Sequence, residues 1–166
     1  MTLAGGTTPE PTIRGLRVDQ PKIWRLEVFR NGHVEFALWG RERIAQKFNE
    51  AGPWELIAFA IAEYIQNFVD LIAEIQDQFT ISDPYLVTVS IYHAANLCLF
   101  EHHRDSLGIA KPRSWKEGQN LMLPPRIYFA EQATDSVSQR LCDLFWNAFG
   151  YMRCPFFNAN GKLALP

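Results

Sequence analysis

The chain has 166 residues, 48% of them hydrophobic and 13% aromatic, with a formal net charge of −2. That composition excludes a disordered chain, and the near-neutral balance excludes a protein drawn as a whole to nucleic acid or to an anionic membrane surface. Charge is unevenly spread. No Lys or Arg lies between Phe48 and His103, where eight acids stand: Glu50, Glu55, Glu63, Asp70, Glu74, Asp77, Asp83 and Glu101. The bland explanation is a solvated acidic helix face; the sharper one is a surface for a basic protein partner. Direct nucleic-acid binding is not expected, because like charges repel along this stretch.

Residues 1–12 are rich in Gly, Thr and Pro; 1–16 read as a flexible lead-in, and 17–166 as a single α+β domain. Met1 to Pro11 lacks a basic segment followed by an apolar one, and the apolar run Leu56 to Ala62 is too short to span a bilayer. A cytoplasmic protein with no membrane association is the expectation.

Ile23 to Trp39 reads as a β-hairpin around Asn31-Gly32. Trp24, Leu26 and Val28 alternate on one strand, and Val34, Phe36 and Leu38 on the other. A two-residue loop would put the two apolar rows on opposite faces. A three-residue loop, Arg30-Asn31-Gly32, pairs Val28 with Val34, Leu26 with Phe36 and Trp24 with Leu38, and is therefore preferred. It also sets Glu27 opposite Glu35, a repulsion that Arg25 is placed to relieve.

Arg41 to Phe48 reads as a short helix, and Pro53 to Phe79 as a long one of roughly 40 Å. Ile61, Ile65, Phe68, Ile72, Ile75 and Phe79 form one apolar stripe; Leu56, Phe59, Tyr64 and Leu71 form a second. Two stripes call for two neighbours. A sheet accounts for one, and the other meets either the 134–149 helix or a second copy of the chain. A homodimer through Phe59, Tyr64 and Leu71 follows from the latter.

Ser82-Asp83-Pro84 marks a turn. Tyr85 to Tyr92 reads as a strand with Tyr85, Val87, Val89 and Ile91 on one face and Thr88 and Ser90 on the other; Asn96 to Phe100 is the next strand, its partner if the two form a hairpin. Glu101 to Asn120 is polar, with Gly108, Pro112 and Gly118, and reads as a long loop. Leu121 to Leu123 and Arg126 to Ala130 are extended around Pro124-Pro125, as suits an edge strand. Ser136 and Gln139 have capping-box form, Val137, Leu141, Leu144 and Ala148 keep helical spacing, and Gly150 falls where a left-handed cap is wanted. The stretch "DLFWNAFG" is thus the end of a core helix, with Asp143 and Asn147 on one face, more readily bonded to solvent or a neighbouring loop than to a ligand. A turn at Asn158 to Gly161 leads to a final strand at Lys162 to Leu165. The order is β-β-α-β-β-β-α-β, a two-layer antiparallel sheet of about five strands with two main helices.

Candidate chemistry is sparse. His93, His102, His103 and Asp105 are the cluster most suggestive of a metal, but neighbours on a strand point to opposite faces, so no metal site and no cofactor are expected. Cys98, Cys142 and Cys154 show no metal-type spacing, and an odd count argues against a disulfide framework. Arg104, Lys111, Arg113 and Lys116 with Trp115 between them form a basic, aromatic set in the long loop; His102, Arg104, Arg113, Trp115 and Arg153 are the candidate ligand-binding residues.

The tail "LCDLFWNAFGYMRCPFFNANGKL", preceded by "LMLPPRIYF" and "YLVTVSIYHAANLCLF", resembles the C-terminal region of bacterial proteins that carry a Schlafen AlbA-type DNA-binding domain. The matching residues are Asp143, Trp146, Asn147, Ala148, Gly150, Asn158 and Gly161. The resemblance implies an accessory or regulatory region. Since the AlbA-type domain itself has no counterpart in these 166 residues, no DNA-binding role is carried over. The functional expectation is a non-enzymatic accessory module for dimerisation or partner binding. The alternatives are a small-molecule sensor with a pocket between sheet and helices, and a metal-dependent hydrolase or nuclease built around Glu101 to Asp105.

Overall fold

A computed structural model describes residues 8–47, 50–81, 84–99 and 113–164. The fold is α+β, and contacts divide the chain into two compact units, one up to Arg43 and one from Ile44, a boundary that the sequence pattern did not mark.

The first unit is an antiparallel meander of β1 (Glu10–Pro11), β2 (Gly15–Gln20), β3 (Trp24–Phe29) and β4 (Val34–Leu38). Strand therefore begins inside the stretch expected to be lead-in: Glu10 pairs with Arg17 and Pro11 with Leu16. The β3–β4 hairpin has the register that the apolar alternation demanded, Val28 with Val34, Leu26 with Phe36 and Trp24 with Leu38. Phe29 N–H donates to His33 O at 2.8 Å, Gly32 N–H donates to Phe29 O at 3.0 Å, and Gly32 has φ +83°, a conformation that its missing Cβ makes cheap. Glu27 does face Glu35, but the cation across from Glu27 on its other side is Arg17. Arg25 instead lies 3.8 Å from Asp19 with its guanidinium over the Trp39 ring.

After a 3-10 turn at Arg41–Arg43, the second unit holds β5 (Ala45–Gln46), β6 (Trp54–Leu56), α1 (Ala58–Gln78), β7 (Tyr85–Val87), β8 (Ser90–Ile91), β9 (Leu97–Leu99), β10 (Arg113–Ser114), β11 (Leu121–Met122), β12 (Arg126–Tyr128) and α2 (Thr134–Ala148). The short helix expected over 41–48 is thus one 3-10 turn and a strand, and the long helix starts at Ala58 rather than Pro53. Three of its first expected residues, Trp54–Leu56, are given to β6, and the helix keeps 21 residues, about 30 Å. With twelve strands in four sheets among the described residues, the expected single sheet of about five antiparallel strands is replaced by shorter ladders, and β6 pairs with β9 in parallel.

The hairpin that was to join 85–93 with 96–100 does not form. Residues 85–99 instead run antiparallel to 113–128: β7 pairs with β12, β8 with β11 and β9 with β10. This twice-broken ribbon has local causes. Pro124 and Pro125 offer no N–H to the ladder, so three residues on their strand stand against two on the other, and Thr88 Oγ1 donates to Leu123 O across the bulge. At the second break the chain turns through His93 (φ 57°) and Asn96 (φ 64°).

Helix α1 packs on α2. The core lies here: Ile61, Ile65 and Val69 of α1, Val137, Leu141, Phe145 and Trp146 of α2, and Leu97, Leu99 and Leu121 of the ribbon are all buried. The N-cap of α2 is Ala133, so Ser136 sits inside the first turn and makes no capping box. The far end matches expectation. Gly150 has φ +82°, its N–H donates to Asn147 O, and Tyr151 N–H reaches back to Trp146 O, which together make a Schellman motif. The Asn158–Gly161 turn is present, with Asn158 Oδ1 accepting from the N–H groups of Asn160 and Lys162; of the expected final strand, Leu165 lies outside the described residues, and among those described Leu163 forms a bridge with Phe157.

Helix α1 ends in the same motif without the glycine. Thr80 N–H donates to Asp77 O and Ile81 N–H to Gln76 O, with Thr80 at φ 53°. A β-branched residue is strained there. Thr80→Gly should therefore stabilise the protein by about 0.5–1 kcal/mol in urea unfolding.

Burial also sets the alkaline limit. It pushes the Tyr85 hydroxyl above 10.0, with Tyr128 adding to the shift, and raises Tyr128 against the opposing pull of Arg140 and Arg126. Burial, then the hydrogen bond with Cys154, holds the Cys142 thiol well above 9.0. The folded state prefers the protonated forms, so this stability is full below the ordinary values and is lost as pH climbs from them through the folded ones. Melting temperature should fall from about pH 9 upward, and the Tyr85→Phe/Tyr128→Phe pair should flatten the part of the fall above about pH 10.

Candidate binding surfaces

Two surfaces of the second unit stand out. The first is an open cleft of about 580 Å³ lined by Arg113, Ser114, Lys116, Glu117, Ala148, Phe149 and Gly150. It exists because β10 delivers the basic residues to the C-terminal end of α2. The Arg113 guanidinium lies 4.5 Å from the centre of the Tyr151 ring and its Nη1 donates to Gly150 O, so a cation meets the negative end of the helix and satisfies one of its last carbonyls. Trp115 N–H donates to Leu97 O at 3.0 Å, and its half-buried ring packs on Phe149, centroids 6.4 Å apart. Tyr151 OH donates to Leu99 O at 3.0 Å. These contacts give Arg113 and Trp115 clear structural duties. What the cleft offers a ligand is the Lys116 ammonium, the free edge of Arg113 and the Ser114 hydroxyl, which is itself 3.1 Å from Cys98 Sγ.

Of the ligand-binding residues expected from sequence, Arg113 borders this cleft and Trp115 packs beside it. Arg153 is exposed in the turn after α2 and is not among the residues lining it. His102 and Arg104, with His103, Asp105 and Lys111, lie outside the described residues. Among the described residues no group of three His, Cys, Asp or Glu side chains could hold a metal ion, and no helix is long and apolar enough to cross a membrane.

Asp143 and Asn147 bind the loop that follows their own helix. Asp143 Oδ1 accepts from Cys154 N–H at 2.8 Å, while Asn147 Nδ2 donates to Tyr151 O at 2.8 Å and Met152 O at 2.9 Å. Together with the Schellman motif they wind residues 150–154 back along α2.

The second surface is the outer face of the ribbon. Tyr85, Val87, Val89, Ile91, Leu121 and Tyr128 point to the core, as the alternation required. The opposite face ought to be polar, and Thr88 and Ser90 are. Yet Leu86 and Ile127, directly opposite each other in the ladder, are 65% and 63% exposed. Met122 (64%), Tyr92 (67%) and Phe129 (49%) extend the row along the same face. The β7–β12 and β8–β11 ladders each hold two strands among the described residues. The sequence did carry a signal for this surface: Leu86 shares the parity of Thr88 and Ser90, an apolar residue at a solvent-side position.

By contrast Phe59, Tyr64 and Leu71, the residues proposed from sequence for a dimer, are all half-buried. Phe59 sits edge-on to Phe156, 5.4 Å away, against the core.

Comparison with protein-family models, with curated proteins and with solved structures finds no match.

Proposed function

We propose that this chain is a non-enzymatic regulatory module that associates with a second copy of itself through the outer face of the ribbon. The observation that carries the reading is the cross-strand pair Leu86–Ile127, exposed on both sides and continued by Met122, Tyr92 and Phe129. A row of this kind, interrupted by Thr88 and Ser90 on the same face, exposes enough apolar surface to be an interaction site. An isologous contact needs a self-complementary patch, and the Leu86–Ile127 pair, apolar on both strands, offers one.

The residues that resemble the Schlafen AlbA-associated region fit an accessory role. Trp146 fills the core, Asp143 and Asn147 fasten a loop, Gly150 ends a helix, and Asn158 and Gly161 make a turn. Each of these duties builds the fold; none presents a reacting group.

Sedimentation velocity tests the proposal. The wild-type chain should shift towards a dimer with rising concentration, and Leu86→Glu/Ile127→Glu should stay monomeric with at least roughly 100-fold weaker association, since like charges would then be buried together. A wild-type chain that stays monomeric at millimolar concentration, or a double variant that dimerises as well as the parent, would refute it.

The cleft at Arg113, Ser114 and Lys116 favours a second reading, a sensor for a small anionic ligand. A thermal-shift series with nucleotides, phosphorylated sugars and dicarboxylates should then raise the melting temperature in the wild type and not in Lys116→Glu.

A further inference from the structure

Cys142 and Cys154 are both buried and both free, and the Cys154 side chain neighbours the Cys142 thiol and helps hold its proton. Sequence spacing gave no hint of this pairing. It arises because α2 stops at Gly150 and the chain doubles back. The Schellman motif reverses the direction, the Asn147 amide holds the carbonyls of Tyr151 and Met152, and the Asp143 carboxylate holds the N–H of Cys154. Two side-chain anchors from successive turns of one helix, with the backbone reversal, thus set Cys154 against Cys142. The third cysteine, Cys98, has a different partner, Ser114 Oγ at 3.1 Å.

We propose that Cys142 and Cys154 are a latent disulfide, a modification site whose closure fastens the 150–154 turn to α2 covalently. The oxidant is a small-molecule disulfide of the glutathione class. Cys154, on the loop, loses its proton and attacks one sulfur of that disulfide. The bond between the two small-molecule sulfurs breaks, and one small thiol leaves carrying a proton. Cys142 then attacks the Cys154 sulfur of the mixed disulfide, its proton passes to the second departing small thiol, and the Cys142–Cys154 bond forms. The two protein thiols are oxidised, the small disulfide is reduced to two thiols, and atoms and electrons balance.

Access comes from a local opening of the turn, where Met152 is 94% exposed and Arg153 is exposed as well. Burial slows the first attack, since the small-molecule disulfide reaches Cys154 only when the turn is open, but it also shields the product from reduction once the turn has closed over it. The covalent loop is short and already has its folded shape, so the bond removes freedom chiefly from the unfolded chain.

Peptide mapping of the intact, folded protein after incubation with oxidised glutathione tests the proposal. The expected product is a cross-linked peptide pair joining Cys142 to Cys154, with a pair of hydrogens lost, Cys98 still alkylatable, and reversal by dithiothreitol. The oxidised protein should melt about 5 °C higher than the reduced one. Cys98→Ser should give the same cross-link. Recovery of Cys142 and Cys154 as free thiols, as separate glutathione adducts, or of Cys142 joined to Cys98 would overturn the proposal, as would a cross-linked protein that melts no higher than the reduced one. None of these readouts depends on a Cys142 or Cys154 variant folding.

Discussion

Trp146→Ala should destabilise the second unit by about 4 kcal/mol, read as a lower urea midpoint by far-ultraviolet circular dichroism. Trp146 has no exposed surface. Its ring meets Phe156 edge-on at 5.8 Å and lies 5.7 Å from Phe145, so truncation removes the centre of an aromatic cluster that ties α2 to the returning tail. The cavity would be bordered by large, ring-bearing neighbours that cannot collapse into it. One detail moderates a gentler change. The indole Nε1 is buried with no partner among the described residues. Trp146→Phe deletes that orphan donor along with part of the ring, and relief of an unsatisfied N–H is worth about 1 kcal/mol or more, so this variant should cost only about 1–2 kcal/mol. A Trp146→Ala cost below about 1 kcal/mol would mean the tail does not pack as described.

Asp143→Ala should cost about 2–3 kcal/mol, more than a half-exposed helix carboxylate ordinarily contributes. The loss has two parts. A charge-assisted hydrogen bond to Cys154 N–H disappears, and that N–H, belonging to a buried residue, keeps no acceptor. Asp143→Asn retains an oxygen at the same place and should recover at least half of the loss. Asn147→Ala removes two bonds of an exposed amide and should cost about 1 kcal/mol. The ranking Asp143→Ala above Asn147→Ala, with Asp143→Asn between wild type and Asp143→Ala, distinguishes loop anchoring from a surface role, in which all three would lie within about 0.5 kcal/mol of wild type.

How far the sequence disclosed this fold can be followed element by element. The β3–β4 register was legible because alternation has a period of two, and a slip of one residue would have turned every apolar side chain outward. Helix α2 was legible from its stripe and from Gly150, the one residue type that closes a helix cheaply. Where the sequence misled, a local signal had two meanings. Pro53 suited the first turn of a helix and Leu56 fitted its stripe, yet a three-residue stretch is too short to show a period of its own, and Trp54–Leu56 pairs with Leu97–Leu99 from far along the chain. Partner choice for 85–92 was hidden for the same reason: the strand was visible, but nothing local to it names 121–128 as its mate. The turn between β8 and β9 uses His93 and Asn96 at positive φ, and the end of α1 uses Thr80, so the usual glycine punctuation was missing at both.

The candidate surfaces were legible in part. Arg113, Lys116 and Trp115 could be picked out as cations around an aromatic, but their meeting with the end of α2 depends on the long ribbon. The two buried thiols, Cys142 and Cys154, become neighbours only through the reversal after Gly150, which sequence spacing does not reveal.

Hydrogen exchange of the wild-type chain, followed by mass spectrometry at low and high protein concentration, tests the central claim most directly. If the ribbon's outer face joins two copies, protection should rise with concentration in peptides spanning 85–92 and 121–129 and should stay constant along α1 and in the meander before Arg43. Concentration-dependent protection confined to Ala58–Gln78, or to residues 10–38, with none in the ribbon, would contradict it.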